Sequence, residues 1–155
     1  MTPTNTKNTK TSEAVRAYNY ACRLLARREY STYEVRTKLQ KKYTQEITEK
    51  VINQLLEFGF INDERFTGSY VRSRLLFKPR SQYALSLELR KKGIAQDVVD
   101  TYFAENPIDE KEAARRLIDS KNKTLSQLVG TKRKEKIAYY LSSRGFSLRL
   151  IDLFA

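Results

Sequence analysis

Leu89-Arg90-Lys91-Lys92-Gly93-Ile94 and Leu141-Ser142-Ser143-Arg144-Gly145-Phe146 superimpose without a gap. Apolar pairs then follow in register, Val98 and Val99 behind the first stretch and Leu150 and Ile151 behind the second. Each stretch reads as helix, glycine stop, helix. A more degenerate copy, Leu39-Gln40-Lys41-Lys42-Tyr43, has tyrosine where the others have glycine, and its next apolar run, from Ile47 to Phe58, is longer. From Leu39 to Leu89 is 50 residues and from Leu89 to Leu141 is 52, a period of stacked supersecondary units. The expectation is an array of modules, each with a small core and neighbour contacts, in an elongated or curved molecule.

Outward from these anchors the helical periodicity fills the chain. Ala14, Tyr18, Cys22 and Leu25 make one stripe. Ser31 and Glu34 form a capping-box signature ahead of Val35, Leu39 and Tyr43. Ile47, Val51, Leu55 and Phe58 make a third stripe that stops at Gly59. Asn62 is a good N-cap, with Ile61 and Phe66 at hydrophobic-staple spacing, and Phe66, Tyr70 and Phe77 line the helix it opens. Pro79 ends that helix and Ser81 caps the next, through Leu85 and Leu89. Val98, Val99, Tyr102 and Phe103 follow. Pro107 and Asp109 mark a boundary, with Glu112 at capping-box spacing. Residues 119–131 read as a loop or frayed helix, and Ile137, Tyr140, Leu141, Leu148, Ile151 and Phe154 complete the pattern. No segment shows strand alternation, so the fold class is all-α. The divisions are a disordered tail over residues 1–12 and three-helix repeats over 13–61, 62–107 and 108–155.

Composition bounds the function. Thirty Lys and Arg against eighteen Asp and Glu leave a charge of +12, which favours a polyanionic or acidic partner. The absence of histidine removes the commonest general base and metal ligand, so no enzyme activity, metal or cofactor is expected. Cys22 sits at helical spacing as a small hydrophobe, and a single cysteine forms neither a disulfide within the chain nor a CxxC site. No apolar run approaches the ~18 residues of a membrane span, and a reducing cytoplasm fits best.

Two basic clusters are candidate partner contacts. Lys132, Arg133, Lys134 and Lys136 form the denser one, joined by Arg144 and later Arg149. Arg72, Arg74, Lys78 and Arg80, followed by Arg90, Lys91 and Lys92, form the second, whose counterpart in the first copy is Lys41-Lys42. Equivalent turns facing one way would draw these residues into a stripe, whereas scattered placement would leave them as solvated helix faces. Tyr139-Tyr140 beside the first cluster is the best candidate for base stacking, Tyr140 turned to the core and Tyr139 exposed. Asp63-Glu64 and Asp109-Glu110 fall at helix starts, where the helix dipole favours acids.

With these residues assembled, the chain resembles the RecX family of recombination regulators over about residues 14–154. The resemblance is carried by Gly59-Phe60-Ile61-Asn62-Asp63-Glu64-Arg65-Phe66 running into Tyr70-Val71-Arg72-Ser73-Arg74-Leu75, by Glu88-Leu89-Arg90-Lys91-Lys92-Gly93-Ile94, and by Lys132-Arg133-Lys134 leading to Leu141-Ser142-Ser143-Arg144-Gly145-Phe146-Ser147. It implies tandem three-helix repeats. It also implies a non-enzymatic protein that lodges in the groove of the RecA filament on single-stranded DNA, opposes filament growth and activity, and has affinity for single-stranded or double-stranded DNA. The chain departs from the family at Lys78-Pro79-Arg80-Ser81 and Ala84, where many members carry a glycine-rich turn and an arginine just before the Glu-Leu pair. The contact of that arginine is not carried over, since Arg80 replaces its charge but not its position.

The reading is a monomeric cytoplasmic regulator whose contacts are Arg72, Arg74, Arg80, Arg90, Lys91, Lys92, Lys132, Arg133, Lys134, Lys136 and Arg144. Its alternative is a basic helical DNA-binding module that needs no recombinase, and a small enzyme built on acidic residues ranks last.

Overall fold

The computed structural model describes residues 6–155, and among them all regular structure is helical. The helices are α1 (Thr6–Leu25), α2 (Thr32–Gln40), α3 (Gln45–Glu57), α4 (Asp63–Phe77), α5 (Gln82–Lys91), α6 (Gln96–Glu105), α7 (Glu110–Ser120), α8 (Asn122–Leu125), α9 (Gly130–Ser143) and α10 (Leu148–Phe154). The chain divides into two compact units. One takes the residues up to Phe66 together with Lys92–Ile94, and the other takes Thr67–Lys91 and Ala95–Ala155.

In the first unit α1 packs on α3, and α2 packs on both. Its core holds Ala14, Ala17, Ala21, Val35, Leu39, Val51, Ile52, Leu55 and Ile61. The buried line of α1 is one of alanines, which let α3 approach closely. Tyr18, Cys22 and Leu25 flank it half-buried, so the stripe is rotated by about one residue from the expected one. The helix also begins earlier than expected. Residues 6–12, assigned to a disordered tail, are helical, and Lys10 reaches Glu46 at 3.4 Å. Once the packed alanine face nucleates α1, each further residue adds a hydrogen bond at little cost. The rest of that tail lies outside the described residues.

The caps explain where the helices start. Ser31 and Glu34 make the full capping box at α2, and Thr44 accepts from the Ile47 N–H at α3. Asn62 accepts from the Arg65 N–H at α4, with Ile61 and Phe66 both buried in the staple positions. Phe58 faces solvent, although the third stripe included it.

In the second unit Val71, Leu85, Leu89, Val99 and Phe103 are buried, and a further cluster joins Ala113, Ala114, Leu117, Leu125, Ile137, Leu141, Phe146, Leu150 and Ile151. Phe77, expected to line α4, is 74% exposed beside the break at Pro79. At α7 only half of the expected box forms. Asp109 accepts from the Glu112 N–H, but the Glu112 carboxylate turns to Arg115 and Arg116. The segment expected as loop or frayed helix contains the single turn α8, pinned by the fully buried Leu125.

Candidate partner-binding surface

The basic turns are built on two closely similar joints. In the first unit the Ser31 hydroxyl accepts from the Glu34 N–H and donates to the Lys92 carbonyl at 2.6 Å, while Asp63 accepts the Thr32 N–H at 2.8 Å. In the second unit, fifty residues on, Ser81 accepts from the Ala84 N–H, its own N–H donates to the Arg144 carbonyl at 3.1 Å, and Glu110 accepts the Gln82 N–H at 2.8 Å. Both serines are buried. Gly93 and Gly145 close the joints at φ +75° and +81°. A Cβ on Gly93 would lie 2.2 Å from the Tyr33 Cβ, and one on Gly145 would lie 2.7 Å from the Ser81 hydroxyl and 2.9 Å from the Ala84 Cβ. The two glycines therefore stop helices and also admit a close approach. Asp63 and Glu110, which the sequence suggested as helix-dipole partners, hold main-chain N–H groups that α2 and α5 leave without an intrahelical acceptor.

These joints sort the basic candidates. Lys92 contributes its carbonyl to the first joint and its ammonium to Glu34, at 2.7 Å. Burial pushes the Glu34 carboxyl up, but hydrogen bonds from Lys92, the Ser31 N–H and Arg28, with the charge of Lys92, outweigh it and hold the pKa below the ordinary value. Arg144, at the matching place in the second joint, has no ion-pair partner among the described residues and is half-buried. Lys42, the first-copy counterpart, lies 4.3 Å over the Tyr20 ring.

A second internal network takes up Arg74 and Arg80. Both bind the Glu88 carboxylate, Arg74 at 3.2 Å, and Glu88 also accepts from the Tyr70 hydroxyl at 2.5 Å. Arg74 donates to that hydroxyl as well, at 3.0 and 3.1 Å. Burial, followed by the hydrogen bond to Glu88, pushes the Tyr70 phenol up, so it stays protonated as a donor. Arg80 is thus anchored on α5. Arg90 bonds Gln96, and Arg72 reaches Ser69 at 3.5 Å from an exposed position. Lys91 is exposed.

α9 differs from both. Lys132, Arg133, Lys134 and Lys136 stand against Glu135 alone in the helix, and among the described residues none of the four is in an ion pair. Ile137 and Leu141 are buried on the side of the helix turned away from Lys132 and Lys136. Tyr139 is 60% exposed, with its ring centroid 5.8 Å from that of half-buried Tyr140. Lys136 lies 5.2 and 5.4 Å over the two rings, and Lys121 lies 5.5 Å over Tyr140. Lys121 carries no sequence signal, because the turn between α7 and α8 that holds it has no periodicity. Among the described residues no group of three potential metal ligands assembles, and no helix is long and apolar enough to cross a membrane.

Comparison with known proteins agrees with this architecture. The first three-helix domain of RecX matches residues 17–55, and the second matches residues 62–102. Regulatory protein RecX of Haemophilus influenzae (strain PittEE) is 34% identical over 132 residues, covering 84% of this chain and 86% of the relative. That of Pelodictyon phaeoclathratiforme is 34% identical over 137 residues, covering 88% and 84%. The crystal structure of RecX from Lactobacillus salivarius superimposes with a TM-score of 0.75 at 25% identity, over 92% of this chain and 94% of that one. Two matched three-helix domains in order, and relatives at this identity aligned over most of both chains, establish that the chain belongs to the RecX family.

Proposed function

We propose that the protein is a non-enzymatic regulator that binds the RecA filament on single-stranded DNA and restrains its growth and activity. The observation that carries this reading, beyond family membership, is the positive charge of Lys132, Arg133, Lys134 and Lys136, unpaired among the described residues, on a helix that Ile137 and Leu141 anchor in a core. Such charge is not consumed within the fold, as that of Arg74, Arg80 and Lys92 is, and it remains free to meet an acidic groove or phosphates. Arg72, Lys91 and Arg144 are secondary contacts, and the protein works as a cytoplasmic monomer. The recombinase would be opposed sterically and electrostatically, with no chemical step.

The test compares binding to preformed RecA filaments and to the same single-stranded DNA alone at physiological salt, while RecA's ATPase is followed. Tighter filament binding with a fall in ATPase is expected, and charge reversal at Lys132 and Lys136 should weaken filament binding at least about tenfold, since each lost contact between opposite charges costs on the order of 1 kcal/mol or more. Equal or weaker binding to filaments, with ATPase unchanged, would overturn the reading in favour of a DNA-binding module that needs no recombinase.

A further inference from the structure

We infer that one face of α9 is a site for single-stranded nucleic acid, in which Lys132 and Lys136 engage phosphates and Tyr139 stacks on an unpaired base. The inference deepens the reading above, resting on its nucleic-acid side and not on RecA.

Lys132, Lys136, Tyr139 and Tyr140 fall at i, i+4, i+7 and i+8, on one face of a continuous helix. From Lys132 to Tyr139 is about 10 Å along the axis at 1.5 Å per residue. A strand laid along this face meets cations first and an open aromatic ring next. An acidic peptide would satisfy the lysines but leave the ring unused, whereas every unpaired base offers a π-face to it. Tyr139 is suited to that contact because its ring leans on that of Tyr140, which packs against the core, and still stays largely exposed. Lys136 beside the ring strengthens binding of an anionic strand without occupying an acid of the protein's own.

The repeat shows why this surface is open in α9. Eight residues before the anchors Leu39, Leu89 and Leu141 stand Ser31, Ser81 and Arg133. The two serines cap their helices and are buried in the joints. In the third copy the helix starts four residues earlier, at Gly130, and Arg133 lies inside its first turns. The place that receives a glycine turn in the first two copies is filled in the third by a cationic helix end.

The experiment titrates oligo-dT and an abasic strand of the same length with the full chain, at matched salt, for the wild type, Tyr139→Ala, Tyr139→Phe and the double variant Lys132→Ala/Lys136→Ala. Tyr139→Ala should weaken oligo-dT binding about tenfold and leave the abasic strand unchanged, and Tyr139→Phe should bind as the wild type does. The double lysine variant should weaken both strands and flatten the dependence of log K on log salt by about 1.4. Oligo-dT affinity within twofold of wild type for Tyr139→Ala, or an equal loss on both strands, would overturn the stacking assignment. Since RecA is absent, neither result depends on filament recognition.

Discussion

The joint at Ser31 and the joint at Ser81 use one design with different chemistry. Each buries a serine at a helix start, receives a carbonyl from a glycine turn, and has an acid from a following helix on the first free N–H. The first adds charge. Glu34 closes a capping box, binds Lys92 at 2.7 Å and Arg28 at 3.4 Å, and is matched fifty residues on by Ala84, which does none of this. The second relies on close packing of Gly145 against Ser81 and Ala84. A repeated backbone joint thus fixes which main-chain groups must pair, while the side chain at one position decides whether the joint is ionic or neutral.

The sharpest way to break the comparison is to fill the two glycines. Gly93→Ala forces a side chain into positive φ and drives its Cβ to 2.4 Å from the Tyr33 Cγ and 2.2 Å from the Tyr33 Cβ, an atom that cannot move without the α2 backbone. The expected loss is about 3 kcal/mol or more in urea unfolding. Gly145→Ala meets a hydroxyl that can rotate and one methyl group, and should cost about 2 kcal/mol. Equal losses at the two sites would show that backbone strain alone sets the cost.

The serines come next. Ser31→Ala removes both the cap acceptor for Glu34 and the donor to the Lys92 carbonyl, and is expected to cost about 2 kcal/mol. Ser81→Ala removes the cap alone, because the bond to the Arg144 carbonyl comes from the Ser81 main chain, and should cost about 1 kcal/mol. Denaturant midpoints at constant slope decide whether the order holds.

The same contrast marks how far the residues could be read without coordinates. Periodicity and caps located Ser31, Asn62, Ser81 and Asp109 at helix starts, because capping is a local matter between residues three apart. The glycines were legible as stops for the same reason. That Gly93 must also admit Tyr33, sixty residues earlier, was not legible, since nothing local to Gly93 records what packs on it. The basic candidates divide likewise. Lys132, Arg133, Lys134 and Lys136 have one acid among them, Glu135, and among the described residues none of the four is in an ion pair. Arg80 meets Glu88 eight residues on, from the turn ahead of α5 to the helix itself, and Lys92 meets Glu34 at a separation of 58, so their loss from the free surface needed the tertiary structure. Tyr139 and Tyr140 were separable because adjacent helical residues point about 100° apart.

The smallest effect isolates the ionic element of the first joint. Glu34→Gln keeps the shape and a partial acceptor but removes the charge that meets Lys92 and Arg28, and should cost about 1 kcal/mol near neutral pH. The sign of the pH dependence follows from the lowered Glu34 pKa. A carboxylate held below its unfolded value, about 4.3, contributes stability that is fully present above that value and is lost as pH falls through the folded pKa. The gap between wild type and Glu34→Gln should therefore be constant from neutral pH to about 5, then narrow as the medium becomes more acidic. Ala84→Gln in the second joint carries no charge change and should show an offset that does not narrow. A wild-type curve that stays parallel to that of Glu34→Gln down to the lowest pH would falsify the ionic assignment, leaving the capping bonds as the source of any stability difference.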